Sequence, residues 1–157
     1  FKKNKTIEIL DLSYNKLNES GFDAFLNILQ NDNTTLKDLS ISFNQLVSQD
    51  FKSLSKYLNS NPSLKKLDIS GNKLGPQDAN DIGVTFKKLT NLEELKLNQC
   101  GINDESITQL FNFFNESSIQ HLEIDSNDLG MTGPMAVMKK IQINNKIKYF
   151  SYKNGDN

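Results

Sequence analysis

The sequence predicts an α/β solenoid: a right-handed β-α superhelix in a horseshoe arc, with parallel strands on the concave face and helices on the convex face. Three observations carry this expectation. A phrase recurs, as "LDLSYNKL" at residues 10–17, "LSISFNQL" at 39–46 and "LDISGNKL" at 67–74. Its spacing is nearly constant, with units starting at Ile7, Leu36, Leu64, Leu92 and Ile119, separated by 29, 28, 28 and 27 residues, and a partial unit from Ile147. Within each unit the apolar period changes from two to that of a helix. One strand–helix unit cannot bury its apolar face alone, whereas stacked units can.

The units share one layout. Their fourth and sixth residues are apolar with polar neighbours, which places Leu10/Leu12, Leu39/Ile41, Leu67/Ile69, Leu95/Leu97 and Leu122/Ile124 on a buried strand face. Helical faces follow: Phe22, Phe25, Leu26 and Leu29, then Phe51, Leu54, Tyr57 and Leu58. Later units give Ile82, Phe86 and Leu89, then Ile107, Leu110, Phe113 and Phe114, then Met135, Met138 and Ile141. Of the row Phe111, Phe113 and Phe114, two are expected in the core and the third against a neighbouring helix, with an exposed contact patch as the alternative. Ser20 and Asp104 are candidate helix caps, and Pro76 and Pro134 suit a first helical turn. Asn18, Gly75, Asn103 and Gly130 each follow a motif's last apolar residue, where Gly and Asn tolerate left-handed backbone. Each unit supplies about six or seven apolar side chains, each contributing roughly 1.5–3 kcal/mol when fully buried.

Every unit matches L-x-x-L-x-L-x-x-N/C-x-L, with Ile or an aromatic in place of some leucines: "IEILDLSYNKL", "LKDLSISFNQL", "LKKLDISGNKL", "LEELKLNQCGI" and "IQHLEIDSNDL". On these five motifs the chain resembles the leucine-rich repeat proteins. The repeat length, with an amphipathic segment after each motif, resembles the ribonuclease-inhibitor-like subfamily. The resemblance covers essentially the whole chain and implies the leucine-rich repeat solenoid. It also implies a structural ladder of Asn15, Asn44, Asn72, Cys100 and Asn127, because in this family that column bonds the backbone of adjoining turns. An amide, with two donors and an acceptor, suits the task. Cys100 offers only a weak S–H donor there; a reactive or metal-binding thiol is the alternative, with no second Cys to support it.

A single domain over 1–157 is expected. Leu58, Phe86, Phe113 and Ile141 each lie six residues before a motif start, and Phe1 stands in the same relation to Ile7. Ile147, Phe150 and Tyr152 begin a strand whose helix is absent. The chain therefore reads as an internal fragment of a longer solenoid, a degenerate terminal repeat being the alternative.

Composition excludes several function classes. The formal net charge is −1, so no strong field favours nucleic acid or anionic membrane. No apolar run approaches a membrane span. One cysteine cannot form an internal disulfide, so a reducing, cytoplasmic location is expected, cytoskeletal association being compatible with it. All 18 basic residues are Lys, so no guanidinium fork is available for phosphate or carboxylate. Sequons at Asn4, Asn18, Asn33 and Asn115 are close to the roughly three that chance places among 21 Asn and 22 Ser plus Thr, and give no evidence for secretion.

No cofactor or metal is expected. The segment "DSNDLG" at 125–130 would need oxygen ligands where Leu129 and Ala136 stand, and "GNKLG" at 71–75 lacks the Lys-Ser/Thr of a phosphate loop. His121 has no cluster of partner ligands. Function is therefore placed on the outward strand positions of the concave face. Rows across the units read Ile9, Asp38, Lys66, Glu94, His121, Tyr149; then Asp11, Ser40, Asp68, Lys96, Glu123, Ser151; then Ser13, Ser42, Ser70, Asn98, Asp125, Lys153. The candidate partner-binding residues are Asp11, Tyr14, Asp38, Phe43, Lys66, Asp68, Glu94, Lys96, His121, Glu123 and Tyr149. A net acidic face flanked by Tyr14 and Phe43 suits a protein partner with a basic or mixed-charge surface, and neither nucleic acid nor membrane. The expected function is a non-catalytic protein–protein interaction module. One alternative is GTPase regulation, as by the Ran-GTPase activators of this subfamily, although an Arg-free segment supplies no arginine finger. The other is a structural scaffold element of a larger cytoskeletal assembly.

Overall fold

The computed structural model describes residues 5–17, 19–32 and 35–154. The expectations for Phe1, Asn4, Asn18 and Asn33 lie outside these residues, as do those for the side chains of Ser20 and Asn115. In chain order the elements are β1 (Ile9–Asp11), α1 (Glu19–Asp32), β2 (Asp38–Ser40), α2 (Ser48–Ser60), β3 (Lys66–Asp68), α3 (Pro76–Lys88), β4 (Glu94–Lys96), α4 (Asp104–Phe111), a 3₁₀ turn (Phe114–Glu116), β5 (His121–Glu123), α5 (Thr132–Ile143) and β6 (Tyr149–Ser151).

The six described strands form one parallel sheet in sequence order. Its register pairs equivalent residues of successive units, running Leu10, Leu39, Leu67, Leu95, Leu122 and Phe150. The central residue of β2 to β5 is buried against the helices, while the flanking residues turn to the opposite face. Leu10 and Leu12 are only half-buried, because no described strand covers the outer side of β1.

Each strand is short because the chain turns left-handed three residues after it. Tyr14, Phe43, Gly71, Gln99 and Ser126 occupy the same motif position, with φ of 61, 55, 69, 54 and 54°. The turn aims their N–H groups at the next unit: Tyr14 donates to the Ser42 carbonyl, Phe43 to Ser70, Gly71 to Asn98, Gln99 to Asp125 and Ser126 to Lys153. The left-handed backbone therefore lies inside the turn, and not where the sequence placed it. Gly75 (φ −74°) and Asn103 (φ −100°) are extended N-caps, and Gly130 is not left-handed. Asn103, rather than Asp104, caps α4, its side chain accepting from the Ser106 N–H at 2.9 Å. Pro76 opens α3 as its first residue, where a missing N–H costs no hydrogen bond.

The helices pack side by side in sequence order on one face of the sheet. Phe22, Leu26 and Leu29 of α1 are buried, as are Phe51, Leu54, Tyr57 and Leu58 of α2 and Ile82 and Phe86 of α3. Phe111 and Phe114 are buried and stack at 4.4 Å, while the Phe113 ring lies against Gly83 of α3. A Cβ at Gly83 would stand 3.0 Å from the Leu110 carbonyl oxygen, so glycine permits this close helix approach. The last helix departs from expectation. Met135 and Met138 are exposed (73% and 50%), Ile141 is half-buried, and Val137 and Gly133 face the core instead. Apolar residues surround α5 on several sides, and its neighbours, α4 and the 3₁₀ turn, decide which of them is covered.

Candidate functional site

Beneath the outward strand face, the asparagine column ties the units together. The Asn44 amide nitrogen donates to the carbonyls of Leu12, Ile41 and Ser42, and its oxygen accepts from the N–H groups of Asn15 and Leu17. Asn72 repeats the pattern on Ile41, Ile69 and Ser70, accepting from Asn44 and Leu46. Asn127 does the same for Leu97, Ile124 and Asp125, accepting from Cys100 and Ile102. Cys100 is the odd member. Its thiol donates to Ile69 and Asn98 carbonyls at 3.5 Å, and the Leu74 N–H turns to the Cys100 backbone carbonyl instead. Burial pushes this thiol up to about 12, so it is protonated and inert at neutral pH.

On that floor stand the outward side chains. The first two rows are solvent-facing, except that Ser151 is buried with its hydroxyl on the Asp125 carboxylate. The third row is less open than strand alternation predicts: Ser42 and Ser70 are buried. Their side chains are short, and the left-handed turn closes over them. Ser13, Ser40 and Ser42 share hydroxyl hydrogen bonds of 2.7 to 3.3 Å, and the Ser70 hydroxyl accepts from the Asn98 N–H.

The register makes ion pairs between neighbouring strands. Lys66 reaches Glu94 at 3.2 Å, and Lys96 bridges Glu94 at 3.6 Å and Glu123 at 3.3 Å. His121 contacts Glu123 at 2.8 Å, and Asn98 donates to the same carboxylate at 2.9 Å. Burial pushes the Glu123 carboxyl up, but His121, Asn98 and Lys96 together outweigh it and hold the group below its ordinary range. The converse holds at Lys96, where burial is outweighed by Glu123, Glu94 and Asp68, and the ammonium is raised. Asp11, held low by the Ser13 hydroxyl and N–H, and Asp68, which accepts from the Ser70 N–H, make no ion pair among the described residues. Asp38 also lacks one; burial pushes its carboxyl up against the opposing pull of Lys66.

Two aromatic pairs flank the charges. Tyr14 stacks on Phe43 at 4.6 Å with an interplanar angle of 4°, and His121 stacks on Tyr149 at 4.2 Å. Phe43 in turn lies flat over Gly71, where a Cβ would stand 2.3 Å from the ring. Tyr14 and Ile9 are each 72% exposed. Between the stacks opens a cavity of about 300 Å³ lined by Asp11, Asp38, Lys66, Asp68, Glu94 and Lys96 among others.

Sequence reasoning missed one further group. Asp104 leaves its own helix and accepts from the N–H groups of Gly130, Thr132 and Gly133 and from the Thr132 hydroxyl, fixing the next unit's loop. The Thr132 hydroxyl is the main cause that holds this carboxyl below its ordinary range. The signal legible in the sequence is the Thr132 hydroxyl, 28 residues further on. No described helix is long and apolar enough to cross a membrane, and no described group of His, Cys, Asp and Glu fits a metal ion.

The comparisons agree with this geometry. The Leucine Rich repeat family model matches residues 3–26, 32–48, 60–83 and 88–110, more than half of the chain. No curated protein matches by sequence. Among solved structures, the Caenorhabditis elegans tropomodulin C-terminal domain is similar at 12% identity and a TM-score of 0.73, over 90% of this chain and 86% of that one. Leiomodin-1 actin-binding site 2 is similar at 13% identity and a TM-score of 0.71, over 90% and 82% respectively. By repeat motif, register and family match, the chain belongs to the leucine-rich repeat family.

Proposed function

We propose that this chain is a non-catalytic protein-interaction module that engages a protein partner across the strand face turned away from its helices. The observation that carries the reading is the row of charged and aromatic side chains fixed on hydrogen-bonded parallel strands. Their spacing is set by the strand separation of roughly 4.8 Å, so many contacts are presented without rearrangement. The cavity on this face is open and small, and the buried Cys100 thiol is protonated and so is not an activated nucleophile.

Photo-cross-linking tests this. Benzoylphenylalanine in place of Ile9 or Lys66 should give protein adducts in native cell extract. The same group in place of Lys52 or Lys88, which are exposed on α2 and α3, should not. Adducts from the helix positions alone would overturn the assignment.

A cytoskeletal role is the second reading, favoured by the likeness in fold to a tropomodulin domain and to an actin-binding site of Leiomodin-1. Actin is accordingly the first partner to assay, by co-sedimentation with filaments and by anisotropy with monomers. Location in the cytoplasm follows from this reading. Stimulation of a GTPase is not expected, since all 18 basic residues are Lys and this chain inserts no arginine finger.

A further inference from the structure

The strand face is not electrically uniform, and the difference falls between its two halves. From β4 onward its acids are matched within the chain: Glu94 by Lys66 and Lys96, Glu123 by Lys96 and His121, and Asp125 by Lys153. In β1 to β3 the acids Asp11, Asp38 and Asp68 have no ion-pair partner among the described residues, because Lys66 turns away from Asp38 to reach Glu94. The cavity between them presents four carboxylates against two ammonium groups, and both of those ammonium groups are already paired. Asp38 is deep enough for burial to disfavour its charge, so its ionised form gains most from a cation brought alongside.

The apolar exposure on this face lies beside the same acids. Ile9 is 72% exposed and pairs in register with Asp38. The Tyr14–Phe43 stack stands three residues beyond Asp11 along the chain, in the turn that follows β1. Its outer ring is 72% exposed, and its inner ring is seated on Gly71. A volume of about 300 Å³ is at the lower end for small-molecule sites, and suits one inserted side chain.

Resting on the interaction-module reading above, we propose that the first three repeats form the docking surface, and that its occupant is an extended basic segment of a partner protein. One lysine or arginine of that segment enters the Asp11–Asp38–Asp68 cavity. An aromatic or branched aliphatic residue about three positions away lies on the Tyr14–Phe43 ledge. Charge complementarity selects this occupant: the cavity's four carboxylates outnumber its two ammonium groups, both already paired, and the ledge attracts an apolar or guanidinium plane. The later half, being internally neutralised, contributes steric fit and little selectivity.

The test uses the 157-residue chain, isotope-labelled, and two synthetic peptides of the form Ala-Gly-Lys-Ala-Ala-Phe-Gly-Ala, one with Glu replacing Lys. The Lys peptide should shift the amides of Ile9, Asp11, Asp38 and Asp68, with affinity falling as salt rises. The D38N/D68N variant keeps the side-chain shape and should bind about three- to tenfold more weakly, as expected for two partly solvated charge contacts. Lys66→Gln should bind more tightly, and Glu105→Gln, exposed on α4, should leave binding unchanged. If the Glu peptide binds equally well, or if neither peptide shifts β1 to β3, this inference is overturned. Shifts confined to β4 to β6 also sink it while leaving the interaction-module reading intact. Shifts confined to the helices would sink both.

Discussion

Asn72→Ala removes a central rung of the inter-repeat ladder, and its cost follows from the contacts. The side chain is fully buried and makes five hydrogen bonds, three donated and two accepted. Alanine leaves the N–H groups of Asn44 and Leu46 and the Ile41 carbonyl without this partner, and no water replaces it in a closed stack. An orphaned buried polar group costs about 1–3 kcal/mol, so allowing for relaxation the variant should lose about 3–5 kcal/mol. That is a large share of the roughly 5–15 kcal/mol that stabilises a typical domain. With a urea slope of about 2 kcal/mol/M, the midpoint should fall by about 2 M. The assay is urea unfolding followed by circular dichroism, with the exposed Asn59→Ala as control; that control should move by no more than about 0.5 kcal/mol. A loss below about 1 kcal/mol at Asn72, or equal losses in the two variants, would refute the ladder as an energetic link between units.

Other outcomes follow from the same geometry. Cys100→Asn restores an amide acceptor to the column but finds Leu74 already satisfied, so it should gain about 1 kcal/mol or less, read from the same unfolding curves. The native Cys100 thiol, pushed up to about 12, should resist alkylation at pH 8 by about a thousandfold relative to an exposed cysteine, and react only on unfolding. Gly71→Ala meets both the Phe43 ring and a left-handed backbone; it should destabilise by about 1–2 kcal/mol from the backbone alone and shift the Phe43 ring resonances. Asp104 and Glu123 are held low in the folded state, so their stabilisation is complete above their unfolded values of 3.8 and 4.5 and is lost as pH falls below them. Asp38, held high, acts in the opposite sense. Protection of the Gly130 and Gly133 amides, relative to the intrinsic exchange rate at each pH, should fall below pH 4 in the wild type and should already be lost at neutral pH in Asp104→Ala.

How far the sequence carried the fold depends on what kind of neighbour each residue needs. The strand pairs such as Leu67/Ile69 were legible because period-two alternation and a 28-residue repeat place them without further information. The faces of α2 and α3 were legible for a related reason: Phe51, Leu54, Tyr57 and Leu58 make one clear stripe. Met135 and Met138 were misread because α5 is apolar on several sides, and burial there is decided by α4 and the 3₁₀ turn rather than by local pattern. Gly75 and Asn103 were misread because a residue that tolerates left-handed backbone does not thereby adopt it. The turn required that conformation earlier, at Tyr14 and Phe43, where the hydrogen bonds to the next unit impose it on aromatic residues. On the strand face alternation placed the charged side chains outward but missed the burial of Ser42, Ser70 and Ser151, and which charges remain uncompensated was a matter of reach. Lys66 has Asp38 on one side and Glu94 on the other, and only the folded geometry shows that it chooses Glu94.

The measurement that bears most directly on the central claim is amide shift mapping of the labelled chain with the protein captured by the strand-face cross-linkers. The account predicts the largest shifts at Ile9–Asp11, Asp38–Ser40 and Lys66–Asp68, with smaller ones across β4 and β5. Shifts confined to α1 through α5, with those three strands unmoved, would contradict it.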